Sequence, residues 1–239
     1  VPLVYTIDKD YCIECYKCVD ACGARQAINF EQQPEEIELD VGAIVVATGY
    51  DIYLPYDNQL FGYGKYTNVV TSLEFERLIN AGGPSGGHLI RPSDKEIPKR
   101  VSFIQCVGSR SDRAGKLYCS NVCCMNTIKD SLLIKEHWPD TKIYVYYVDI
   151  RAFGKGFEDL YKRARKEGVL FVRGLPSEIV ENKKTHDLWL VGENTLQKEV
   201  YKTKVGMVVL SIGIQPRQDS DVVQRLCNLS RTSDGFFME

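Results

Sequence analysis

From Lys99 onward the apolar positions alternate between short β-branched runs and stretches with a helical repeat. Val101–Ile104 predicts a strand, residues 121–137 an amphipathic helix, Ile143–Val148 a strand, Phe157–Lys166 a helix and Val169–Val172 a strand. Shorter strands at Ser177–Val180 and Leu188–Val191 precede KVGMVVLSIGIQP, Lys204–Pro216, a continuous apolar run that predicts a buried parallel strand. The order is that of a βαβαβ dinucleotide-type unit with a β-meander. Upstream, VGAIVVATGY over Val41–Tyr50 is a second continuous run, also expected to be a buried parallel strand. Both runs end in glycine, at Thr48-Gly49 and Ile212-Gly213, where a missing side chain lets backbone approach a ligand. Between them TSLEFERLINAGG predicts a helix over Ser72–Asn80, capped at Thr71 or Ser72 and stopped by Gly82-Gly83. The Gly/Pro-rich stretch PSGGHLIRPSDKEIPKR then reads as a crossing into a new unit, with His88 and Arg91 as linker residues.

Composition narrows the class without naming a chemistry. A chain of 239 residues, 44% hydrophobic, can bury a real core and suits one large domain or two small ones. A net charge of −2 with scattered Lys and Arg argues against nucleic acid, and no apolar run approaches the roughly 20 residues of a membrane helix. Eight of the nine cysteines fall in two clusters with metal-type spacing and no signal peptide precedes them. That favours a reducing cytoplasm over a disulfide framework. The chain begins at Val1 in mid-pattern, which leads us to expect an internal fragment of a longer protein.

The cysteines carry the candidate chemistry. Cys12, Cys15, Cys18 and Cys22 form C-x2-C-x2-C-x3-C, in which three thiolates hold one [4Fe–4S] cluster and the fourth reaches a second. The proline that usually follows the fourth cysteine is Gly23 here, and the companion run lies outside the sequence. Cys106 follows a strand, while Cys119, Cys123 and Cys124 gather where a helix begins, so that three thiols converge and the strand end adds a fourth. The first helical turn favours negative charge and is expected to lower the thiol pKa values, as suits an anionic iron–sulfur centre. These thiols stand where the first strand of a dinucleotide-binding unit would feed its Gly-rich phosphate loop; that position reads Cys106-Val107-Gly108-Ser109-Arg110. Asp149, past the second strand, is where an acidic residue would read a ribose, but without a phosphate loop it reads with Arg151 and Lys155 as a relic or a partner surface. Cys227 stands alone and reads as packed. A zinc-stapled structural protein and an NAD(P)H-dependent iron–sulfur flavoenzyme are the readings from other classes.

Together the ferredoxin run, IELDVGAIVVATGYD, GKYTNVVTSLEFERL, GGHLIRPSD, RVSFIQCVGSR, the Cys119/Cys123/Cys124 group, IRAFGKGFE and DGFFME resemble the middle of the A subunit of heterodisulfide reductase. That family comprises iron–sulfur flavoproteins of methanogens and related anaerobes. The resemblance implies an α/β, thioredoxin-reductase-like, two-dinucleotide-binding flavoprotein fold with part of an inserted α+β ferredoxin domain. It places the ferredoxin half at 1–34, part of an FAD-binding domain and a crossing at 35–95, a Rossmann-like domain with a [4Fe–4S] cluster at 96–216, and a return into the FAD domain at 217–239. It implies FAD contacts at Thr48, Gly49, Ile212 and Gly213, and the extra cluster on Cys106, Cys119, Cys123 and Cys124. Lys129, five residues past Cys124, is a candidate positive charge near a reduced flavin, with simple helix-surface solvation as the alternative. The implied function is flavin-based electron bifurcation in a cytoplasmic complex built on a homodimer. Its partners would be sister heterodisulfide reductase subunits, a hydrogenase or formate dehydrogenase electron-input subunit, and ferredoxin. Related A-like subunits serve quinone-interacting and aromatic-ring-reducing complexes, so the final acceptor stays open.

Overall fold

The computed structural model describes residues 7–33 and 35–238. The chain divides into two compact units, Val1–Ala47 and Thr48–Glu239. Within the described part of the first unit the regular structure is one short helix, α1 (Lys17–Cys22), flanked by single 3-10 turns at Lys9–Tyr11 and Gly23–Arg25.

The second unit is built on a five-stranded, all-parallel sheet. In chain order its elements are β1 (Asp51–Ile52), β2 (Val69–Thr71), α2 (Ser72–Ile79), β3 (Arg100–Val107), α3 (Cys123–His137), β4 (Lys142–Tyr147), α4 (Phe157–Lys166), β5 (Leu170–Arg173), β6 (Pro176–Glu181), β7 (Leu188–Asn194), β8 (Glu199–Val205), β9 (Met207–Ile212), β10 (Ile214–Gln215) and α5 (Ser220–Cys227). The sheet runs β2-β9-β3-β4-β5, and β6-β7-β8 form a separate antiparallel meander. The α/β expectation and the βαβαβ order therefore stand. The period of two along each strand sorts the core into two faces. Val101, Phe103, Ile143, Val145, Met207 and Val209 pack with Phe75, Ile128, Ile134 and Ala164 of the helices. Their neighbours Ile104, Tyr146, Val208 and Leu210 pack with Ile179, Leu188, Leu190 and Val205 of the meander. Helices cover one face and a second sheet covers the other, so strands apolar on both sides are what the sequence needs and has.

The expected buried strand over Val41–Tyr50 does not form. Val41, Ile44 and Val45 are exposed, and Val45 is 91% accessible. A parallel strand persists only beside neighbours that take up its N–H and C=O groups, and the described residues offer this segment none. The one regular fragment nearby is β1, which pairs antiparallel with β10, Asp51 opposite Gln215 and Ile52 opposite Ile214. That pairing sets the chain just past Thr48-Gly49 beside the chain just past Gly213. The second run, Lys204–Pro216, is divided between the end of β8, Gly206, β9 and β10 rather than forming one strand. Among the described residues no helix is long and apolar enough to cross a membrane.

Candidate iron–sulfur site

Cys106 lies inside β3, where the pairing with β9 slips between Ile104 and Val107. The slip is a β-bulge, and Cys106 takes a left-handed φ of 59° within it. Bulges re-aim a side chain out of the regular alternation, which here frees Cys106 from the strand's two packed faces. Helix α3 begins at Cys123, two residues later than the sequence pattern suggests, because Asn121 turns into the left-handed region at φ 60°. Cys119 therefore lies on the loop that leads into the helix. The loop still delivers it: Cys106, Cys119, Cys123 and Cys124 line one small recess, together with Ser109, Arg110, Asn121, Asp149 and Arg151.

Buried polar contacts lock the elements that carry these thiols. Gln105, next to Cys106, donates to the Ser211 hydroxyl at 3.3 Å, and Ser211 meets Thr127 of α3 at 2.8 Å. Thus β9 ties β3 to α3 close to the thiol-bearing end of each. The Ser120 hydroxyl accepts from the Ile214 N–H at 3.0 Å and ties the loop to β10. Gly213 packs so closely that a Cβ there would stand 3.0 Å from the Gly108 carbonyl and the Ser120 hydroxyl. No larger residue fits without moving the loop.

The thiols of Cys123 and Cys124 donate to the carbonyls of Ile212 at 3.4 Å and Asp149 at 3.9 Å, and Cys119 sulfur accepts the Asn121 N–H at 3.4 Å. The expected lowering of the thiol pKa values is overturned at Cys106, Cys123 and Cys124. Burial first, then the charge of the neighbouring thiols, pushes Cys106 up to about 11 and Cys123 up to about 12, and burial also raises Cys124. The partial charge of a helix N-terminus is too small to offset burial added to like charges. Thiols raised in this way are poor nucleophiles alone and good ligands for a cationic core, which deprotonates them on binding. A cuboidal cluster is a body with four corners, so its ligands surround a volume; a single ion needs them to meet at a point. Among the described residues no three His, Cys, Asp or Glu side chains meet closely enough to hold one ion. The donor type, the burial and the recess fit an iron–sulfur cluster.

In the first unit Cys18 and Cys22 stand one turn apart on α1, while Glu14 and Tyr16, at φ 52° and 58°, are left-handed residues on either side of Cys15. The Ala27 N–H donates to Cys22 sulfur at 3.2 Å. Gly23 caps α1 at φ 54°, a value closed to proline, whose ring holds φ near −65°. The departure from the usual cysteine-proline pair has a conformational reason.

The remaining candidates are dispersed. The Ile212 carbonyl accepts from the Cys123 thiol and Gly213 packs against Gly108 and Ser120, while Thr48 and Gly49 lie in exposed chain. Lys129 is half exposed on α3, away from the recess, ion-paired with Glu76 of α2 and 3.2 Å from Asp130. Arg91 is more than a linker residue: it bonds Asp187 at 3.0 Å and the Thr185 carbonyl at 2.6 Å, pinning the crossing to the meander. Asp149 is not a free ribose reader. It is ion-paired with Arg110 and lies 3.7 Å from Arg151 on the recess wall. The sequence reading missed Arg110 and Asp149 as part of the site; the signal was their place beside two strand ends that converge in any dinucleotide-type unit.

No protein-family model matches the chain. Over its whole length it is 53% identical to the A subunit of the H(2):CoB-CoM heterodisulfide,ferredoxin reductase of Methanothermobacter thermautotrophicus. It is 50% identical to the iron-sulfur A subunit of the CoB--CoM heterodisulfide reductase of Methanocaldococcus jannaschii. The chain spans about a third of the length of these relatives, 36% in each case. Among solved structures, T. acidophilum thioredoxin reductase aligns with 72% of this chain and 43% of its own, at 12% identity and a TM-score of 0.38. A likeness that low carries no argument.

Proposed function

Because the chain belongs with the A subunits of heterodisulfide reductase, which it matches along its whole length at 50–53% identity, we propose that it is the part of such a protein that relays electrons between a flavin and iron–sulfur clusters. The observation that carries this reading is the gathering of Cys106, Cys119, Cys123 and Cys124 around one recess. A [4Fe–4S] cluster held there would carry single electrons, and FAD beside it would exchange electron pairs for single ones. The chain's own part is to hold four thiols without disulfides and to fix the geometry through Gln105, Ser211 and Thr127. In this reading Cys12, Cys15, Cys18 and Cys22 serve clusters that lead outward, and Thr48 and Gly49 contact the flavin, while Lys129 stays a solvated helix-surface charge paired with Glu76. For the intact protein we propose bifurcation that couples reduction of CoB–CoM heterodisulfide to reduction of ferredoxin, within a cytoplasmic, multi-subunit complex fed by a hydrogenase or formate dehydrogenase component.

The test is anaerobic Cys123→Ala in the full-length protein, with iron, flavin and paramagnetic signals measured. Loss of one cluster's worth of iron and of one paramagnetic component is the expected result. Unchanged iron would overturn the assignment.

A further inference from the structure

The wall of the thiol recess carries more positive charge than its one carboxylate balances. Arg110 and Arg151 both approach the same Asp149 oxygen, so two guanidinium groups share one counter-charge beside four sulfurs. Arg110 is the better shielded cation, its side chain 23% exposed against 45% for Arg151. Its backbone is also specially held. It sits at φ 54°, a left-handed conformation that costs a non-glycine residue on the order of 1–3 kcal/mol. The Arg110 N–H donates to the Tyr118 carbonyl at 3.0 Å, and Ser111 exchanges two backbone bonds with Lys116 at 2.8 and 3.0 Å. A small closed loop thus fixes this residue against the sulfurs. A pair half open to water contributes little to stability, so a merely structural ion pair gives no reason to hold its arginine in that conformation facing thiols.

We propose that Arg110 is a fixed charge that raises the reduction potential of the centre on the four thiols, with Asp149 as the positioning residue that holds it and partly offsets it. The inference rests on the cluster assignment proposed above. The physics is simple: reduction adds one electron, no bond forms or breaks, and the negative charge of the thiolate-bound core grows by one. A cation a few ångströms away favours the more negative state, and a carboxylate disfavours it. Arginine stays charged throughout, so no proton accompanies its effect.

The two residues therefore predict shifts of opposite sign. In the full-length protein, titrated anaerobically with dithionite and redox dyes, the component to follow is the paramagnetic signal that Cys123→Ala removes. Arg110→Gln should lower its midpoint, leaving the centre on the order of tenfold less reduced at a fixed potential, which for one electron is about 59 mV. Asp149→Asn should raise the midpoint, and Arg110→Lys, which keeps the charge, should stay near wild type. Shifts of the same sign in Arg110→Gln and Asp149→Asn, or no shift with the component intact, would overturn the inference. Should Arg110→Gln lose the component, the Asp149→Asn shift alone decides: upward supports it, anything else sinks it. If Cys123→Ala removes no component at all, the failure lies with the cluster assignment and not with Arg110.

Discussion

Asp130 lies on α3 with its side chain fully shielded. One oxygen accepts from Asn126 at 3.4 Å; the other stands 3.2 Å from the Lys129 ammonium yet makes no hydrogen bond. Burial, reinforced by the Glu76 carboxylate across on α2, pushes its carboxyl up to about 7, although Lys129 pulls the other way. The sign follows from linkage: the folded state holds this proton more tightly than the unfolded chain, whose value is 3.8. The contribution to stability is complete below about pH 4 and is lost as pH rises towards 7. Asp130→Asn should remove that dependence and gain on the wild type across this range by a few kcal/mol, at roughly 1.4 kcal/mol per unit. Denaturant titration from about pH 4 to 8 checks it, and parallel pH curves for the two proteins would contradict it. At this scale the cysteines were legible, because their spacing is itself the chemistry. Arg110 and Asp149 were not, because their pairing spans 39 positions and emerges only once β3 and β4 lie side by side.

Elements were legible where one local signal dominates. Helix α4 spans Phe157–Lys166 as the pattern predicts, with acidic residues in its first turn and basic ones in its last. Helix α2 starts where Thr71 caps it: the Thr71 hydroxyl accepts the Glu74 N–H at 3.3 Å and the Glu74 carboxylate accepts the Thr71 N–H at 2.7 Å. This capping box predicts that Thr71→Ala costs about 1 kcal/mol, read as a shift in denaturant midpoint with unchanged slope. Thr71→Ser, which keeps the oxygen, should recover most of the loss. Where tertiary contacts decide, the pattern misleads. The two-residue delay of α3 follows from the left-handed turn at Asn121 that brings Cys119 to the recess. Strand β2 is only three residues long and exists through its parallel pairing with β9, which nothing local in Val69–Thr71 announces.

For the whole molecule the segment Val41–Tyr50 is the informative discrepancy. Its composition is that of a buried strand, while in the structure Ile44, Val45 and Tyr50 are exposed and the backbone groups have no partners among the described residues. Apolar surface and unpaired amides are each unfavourable in water, and one remedy removes both: a sheet neighbour from outside these 239 residues. In the relatives, which are nearly three times as long, there is ample further chain to supply one. Since β1 already pairs with β10, the completed strand would deliver Thr48-Gly49 beside the turn at Gly213, the juxtaposition that the proposed flavin contacts need. We therefore expect the amides of 41–50 to exchange rapidly with solvent deuterium in this chain and to be among the slowly exchanging ones in a full-length protein of the family. Mass-spectrometric exchange on both proteins tests the difference. Rapid exchange over this segment in the full-length, flavin-loaded protein would show that the run is not a strand there either, and would remove the structural basis for placing a flavin at Thr48 and Gly49.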